Sequence, residues 1–203
     1  MLFSLPASNL DCFAGVAAMT VPRRSDALRN RASILRAAEE LVAGGTTPSP
    51  ARIARLTGLG QATVYRHFPD RRALLLTLAR KHLGLLADAA EANADDPAAF
   101  RALLHAVMAY QVSMRPLVDE LRRFPEPDQR GHARRLLDAL RGPFDRSQAA
   151  GYLRHDVVLN DVLVVLTMLQ AAVDRSPDPR RAIPVLLDGL FLPERDQAVT
   201  GER

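Results

Sequence analysis

Apolar positions recur along the chain at three- and four-residue intervals, and no segment shows the strict alternation of a half-buried strand, so the pattern predicts an all-α protein. Ile34, Leu35, Ala38, Leu41 and Val42 form one stripe on a first helix over about 27–43, which Gly44-Gly45 ends. Ser49-Pro50 reads as a hydroxyl N-cap followed by proline at the first helical position, opening a short second helix that runs to about Leu56. After the turn Thr57-Gly58-Leu59, a third helix over about 61–67 turns Val64 and Phe68 inward. Pro69-Asp70 stops it, and Asp70 is placed to cap a long fourth helix carrying Leu74, Leu75, Leu78, Leu83 and Leu86.

The segment NADDP at 93–97 is the clearest boundary. Beyond it the pattern predicts amphipathic helices near 98–114, 116–124, 128–147, 156–174 and 180–191. Arg115-Pro116, FPEP at 124–127, Gly142-Pro143, Gly151 and SPDP at 176–179 are read as the breaks. The chain thus divides into a disordered extension (1–22), a small helical head (23–70), a connecting helix (71–96), a helical body (97–192) and a tail (193–203).

Charge follows the same division. Residues 20–82 hold twelve Lys or Arg against four Asp or Glu, a net +8, whereas residues 83–203 hold fifteen against eighteen, a net −3. A basic head on a mildly acidic body points to a polyanion as partner of the head alone. The chain has one cysteine, Cys12, and no Cys/His group with zinc-ligand spacing, so a reducing, cytoplasmic setting is expected, with neither metal nor cofactor. The first eighteen residues have no Lys or Arg and include Asp11, unlike a secretory signal, and Met19 is an alternative start. The most apolar stretch, Val162 to Val173, is shorter than the ~18 residues of a membrane span, so no membrane partner is expected. Histidines at 67, 82, 105, 132 and 155 lack a supporting carboxylate pattern, and neither a phosphate loop nor a nucleophile elbow is present, so the chain reads as a non-enzyme.

Three short helices with a three-residue turn between the second and third meet the requirements of a helix-turn-helix. Ala54 is small where the two helices cross, Gly58 suits a left-handed turn, and Ile53, Leu59 and Val64 make a minimal core. The third helix then presents Gln61, Ala62, Thr63, Tyr65, Arg66 and His67 outward, a polar surface able to read base edges and phosphates in a major groove. Arg71, at the start of the next helix, is positioned for a backbone phosphate, and its positive charge at a helix N-terminus would be compensated there. Ser49, Arg52 and Arg55 around the second helix extend this DNA-binding set. Alternatively, Tyr65 covers the core with its ring and Arg71-Arg72 is simply a solvated helix start.

The run TGLGQATVYRHFPDRRALLLTLARKHL at 57–83, with RASILRAAEELVAGG at 31–45, resembles the TetR-type (TetR/AcrR) helix-turn-helix regulators over about fifty residues. The resemblance implies a homodimer that binds a palindromic operator on double-stranded DNA and is released by a small-molecule effector held in a separate helical domain. It implies base contacts from Gln61, Ala62 and Tyr65, phosphate or mixed contacts from Thr63, Arg66 and His67, and a phosphate contact from Arg71. The chain departs from the family at Gly60, where a capping residue is usual, near Gly45, where an aromatic is usual, and at Pro48-Ser49-Pro50, where Thr-Ser often stands.

In the body, Phe100, Leu104, Met108, Leu140 and Phe144, with His105, Gln111 and Gln170 as polar members, are the candidate lining of a pocket for a small apolar ligand; His132 is a further polar candidate. The helices near 156–174 and 180–191, the latter with Ile183, Leu186, Leu187 and Leu190, carry more apolar surface than one core needs, which suggests a twofold four-helix interface. Burial within a single chain is the alternative. For function, the reading is a ligand-responsive transcription regulator, a repressor in the first instance, set against a non-specific architectural DNA-binding protein without a ligand.

Overall fold

The structure is a computed structural model that describes residues 22–193. Nearly all of the predicted extension, with Cys12 and Met19, and the tail beyond Pro193 lie outside the described residues. Among the described residues nine α-helices follow one another: α1 (Pro22–Ala43), α2 (Pro50–Thr57), α3 (Gln61–His67), α4 (Arg71–Ala92), α5 (Ala99–Ser113), α6 (Arg115–Leu121), α7 (Glu126–Ala149), α8 (Asp161–Arg175) and α9 (Ala182–Asp188). A 3-10 turn, Pro179–Arg181, leads into α9. Among the described residues, extended pairing is confined to an isolated bridge between Leu153 and Phe191. The all-α expectation therefore holds.

Two hydrophobic cores organise these helices. The first gathers Ile34, Ala38, Val42, Ile53, Ala54, Val64, Phe68, Leu74, Leu75 and Leu78 from α1 to α4, and is joined by Met114 and Leu117 from the α5–α6 corner. The second gathers Phe100, Leu104, Met108, Leu140, Phe144, Leu166 and Leu169 with the chain around Leu153 and Phe191. α4 serves both, since Leu74 to Leu78 lie in the first and Leu83 and Leu86 pack on the second. Burial of a leucine side chain stabilises by about 1.5–3 kcal/mol, so the two Met114/Leu117 insertions bind head to body with real strength.

Several boundaries differ from the pattern. α1 begins at Pro22, not 27; Asp26 to Arg29, ahead of its apolar stripe, are exposed, so hydrophobic period does not mark this part. Gly142-Pro143 does not break α7. Proline in a helix interior costs ~3 kcal/mol, but Leu140 and Phe144 on either side are buried in the second core and hold the helix through it. α8 starts at Asp161 rather than 156, because 151–160 is an irregular segment pinned by buried Leu153 and Val157. α9 ends at Asp188, and Leu190 and Phe191 continue inward beyond it.

Candidate nucleic-acid interface

The head is shaped by local signals. Ser49 caps α2 by accepting the Arg52 backbone N–H at 3.3 Å, and Pro50 follows at the first helical position. Gly58 closes α2 at φ 69°, a left-handed conformation that costs a residue with a Cβ about 1–2 kcal/mol. Gly45 likewise sits at φ 76° at the end of α1, where Thr46 N–H reaches Leu41 O at 2.8 Å. A side chain at Gly45 itself would thus meet backbone strain. Gly60 stands at the N-cap of α3 with no side-chain bond, while Asp70 caps α4 by accepting Ala73 N–H at 2.6 Å.

Val64 and Phe68 are buried, and this sets the outward face of α3. Gln61, Ala62, Tyr65 and Arg66 are exposed, with Tyr65 at 49%; Thr63 and His67 are half-buried beside them. Arg66 Nη2 donates to Thr63 Oγ1 at 2.9 Å, tying the two together. Tyr65 therefore does not serve chiefly as a lid on the core.

Arg31 of α1 was not singled out by the sequence. Its guanidinium lies 4.5 Å above the Phe68 ring and donates through Nη1 to the His67 carbonyl at 3.3 Å, which anchors the C-terminal end of α3 to α1. No periodic signal marks it, since its partners come from a different helix.

The arginines around α3 fall into two groups. Arg52, Arg55 and Arg66 are exposed and have no ion-pair partner among the described residues. Arg71 and Arg72 are not free: Arg71 Nη2 lies 2.9 Å from Glu120 Oε1 of α6, and Arg72 Nη2 lies 2.5 Å from Asp128 Oδ2 of α7. The positive charge at the start of α4 is thus met by acids of the body. Ser49 is also occupied, as a cap. Arg55, on the margin of the sequence reading, is exposed like Arg71 but has no ion-pair partner among the described residues.

A third group links the head to the body behind this surface. Glu39 of α1 accepts from Lys81 Nζ at 2.6 Å and pairs with His82 Nε2, while Tyr110 O–H of α5 meets His82 Nδ1. With the Nε2–H donated to the carboxylate, Nδ1 is left to accept from the tyrosine hydroxyl. Hydrogen bonding from His82 is the main reason that the Glu39 carboxyl is lowered from 4.5 to about 2; burial opposes it and Lys81 assists. Burial, assisted by the Glu39 charge, raises the Tyr110 hydroxyl above its ordinary range.

In the body, Phe100, Leu104, Met108, Leu140 and Phe144 are packed into the second core, where the Phe100 and Phe144 rings meet edge-on at 5.8 Å. Gln170 is buried and donates through Nε2 to Gln111 Oε1 at 3.0 Å; its own Oε1 is buried without a protein partner. His105 is exposed and does not join this group, and His132 is half-buried toward α4.

The geometry defines a class: a three-helix head of helix-turn-helix form on a helical body. No family model matches the chain. A TetR transcription regulatory protein from Mycobacterium vanbaalenii superposes with a TM-score of 0.61 at 29% identity, over 84% of this chain and 100% of that one. A TetR transcriptional regulator from Streptomyces coelicolor gives a TM-score of 0.60 at 28% identity, over 79% and 98%. The HTH-type transcriptional repressor LfrR of Mycolicibacterium smegmatis is 37% identical over 91 residues, 44% of this chain, and the match spans about half (48%) of that relative. In fold the chain is similar to TetR-type regulators, and over 91 residues its sequence is similar to a helix-turn-helix repressor. Among the described residues no helix is long and apolar enough to cross a membrane.

Proposed function

We propose that the protein is a sequence-specific transcription regulator, acting as a homodimeric repressor on a palindromic operator and released by a small apolar ligand. The observation that carries this reading is the exposure of Gln61, Ala62 and Tyr65 on one face of α3, flanked by the exposed Arg52, Arg55 and Arg66, which have no ion-pair partner among the described residues. Polar side chains on a short helix read base edges; arginines at its margins hold phosphates and set register.

A twofold dimer would rest on residues other than the Ile183, Leu187 and Leu190 singled out in sequence. Ile183, Leu187 and Leu190 are buried within the chain and cannot face a partner. Val164 and Met168, one turn apart on α8, and Val185 on α9 are exposed at 56%, 54% and 70%, and form the apolar surface that a twofold partner would cover. For the ligand, the buried Gln170 oxygen is the supporting feature, because an unmet buried acceptor costs about 1–3 kcal/mol that a ligand donor would recover.

Selection of bound DNA from a random pool by the purified protein, at near-physiological salt, tests the reading. An enriched inverted repeat is expected, with Gln61→Ala and Tyr65→Ala eroding sequence preference more than Arg66→Ala does. Tight, salt-sensitive binding without enrichment would instead make the head a non-specific architectural clamp.

A further inference from the structure

Between the middle of α4 and the first turns of α7 lies an open cavity of about 220 Å³, whose walls include Leu76, Arg80, Pro127, Asp128, His132 and Arg135. Its charges do not cancel. Asp128 is already neutralised from outside by Arg72 at 2.5 Å. Arg80 and Arg135 have no acidic partner among the described residues; Arg135 Nη1 merely donates to the Gly131 carbonyl one turn back, at 3.2 Å. Both residues are solvent-exposed and line the same cavity. His132 is held below its ordinary basicity of 6.5 by burial first and by Arg135 second, so it offers a neutral ring beside them. Leu76 and Pro127 add an apolar wall.

Two like charges converging on one cavity gain most from an anion between them, and a planar guanidinium matches the two oxygens of a carboxylate. We propose that this cavity binds a small organic carboxylate, its oxygens held by Arg80 and Arg135 and its carbon skeleton resting on Leu76 and Pro127. An anion with an apolar body suits the site better than a compact one, because Leu76 and Pro127 offer that body a wall. At ~30 Å³ per water, the cavity has the space of about seven waters, which fits one ring or a short chain. The site lies apart from the apolar core around Phe100 and Gln170, and does not depend on the operator reading.

Calorimetric titration of the full-length, DNA-free protein tests it, with benzoate as probe, benzamide as its uncharged counterpart and inorganic phosphate as a compact anion. Saturable benzoate binding is expected, with benzamide and phosphate at least tenfold weaker. Arg80→Gln and Arg135→Gln, both at exposed positions, should each weaken benzoate at least tenfold while leaving the melting temperature in place. Absence of saturable benzoate binding, benzamide or phosphate binding as tight as benzoate, or undiminished binding by both variants would each overturn the proposal.

Discussion

Arg71 Nη2 of α4 sits 2.9 Å from Glu120 Oε1 of α6, and the same carboxylate oxygen receives Arg123 Nη1 at 3.0 Å. Glu120 is the more buried partner, at 16% side-chain exposure, so its charge is set firmly against the start of the helix that follows the reading head. With Arg72 and Asp128 alongside, the junction between head and body is held by crossed ion pairs as well as by Met114 and Leu117.

This arrangement separates the arginines by their salt dependence. Each phosphate neutralised by protein contributes ~0.9 to the slope of log affinity against log salt. Arg52→Ala and Arg66→Ala should each lower the slope of DNA binding by about one. Arg71→Ala should leave it nearly unchanged, and Glu120→Gln, which frees Arg71, should raise it. Fluorescence anisotropy across a salt series reads all four; a full unit lost in Arg71→Ala would show that Arg71 leaves Glu120 for a phosphate.

Glu39 makes the fold acid-sensitive in a defined window. Its carboxyl is lowered in the folded chain from 4.5 to about 2, chiefly by the His82 hydrogen bond. The stabilisation is therefore complete above about pH 4.5 and is lost as pH falls toward 2. With screening at a partly exposed group, it amounts to about 1–2 kcal/mol. Denaturant melts of Glu39→Gln should be less stable than the parent at pH 7 and show a flatter decline between pH 4.5 and 2; parallel pH profiles would contradict this role.

Gly58 and Gly60 should respond oppositely to a side chain. At Gly58 a Cβ would meet no atom within 4 Å, so the whole cost of Gly58→Ala is its left-handed backbone, about 1–2 kcal/mol. Gly60 has φ −68° and ψ 144°, suited to an N-cap, so Gly60→Ser should add a few tenths of a kcal/mol by capping α3. Thermal melts of the two variants give the sign of each.

Assembly should depend on the outer faces of α8 and α9. Met168→Asp or Val164→Asp places a charge where a partner's apolar surface would lie, and sedimentation should shift from dimer to monomer with the helical circular dichroism unchanged. Ile183→Ala, by contrast, removes interior packing and should cost about 2–4 kcal/mol of stability. A parent protein that sediments as a monomer would remove the twofold reading.

The reading head was legible in the sequence because its determinants are local. Ser49-Pro50, Gly58 and Asp70 act on backbone within three residues of themselves, and the inward Val64 and Phe68 fix by helical period that Gln61, Ala62 and Tyr65 face out. What the tertiary structure alone decided are relations between residues far apart in the chain. Arg72 meets Asp128 across 56 residues, His82 joins Glu39 across 43, and neither pairing leaves a trace in periodicity. The same holds for the body, where Pro143 stays helical because Leu140 and Phe144 are buried, and where Ile183 and Leu187 point inward while Val185 between them does not. An apolar residue in sequence states only that it gains by leaving water; which neighbour covers it, in this chain or in a second one, is a property of the packed fold.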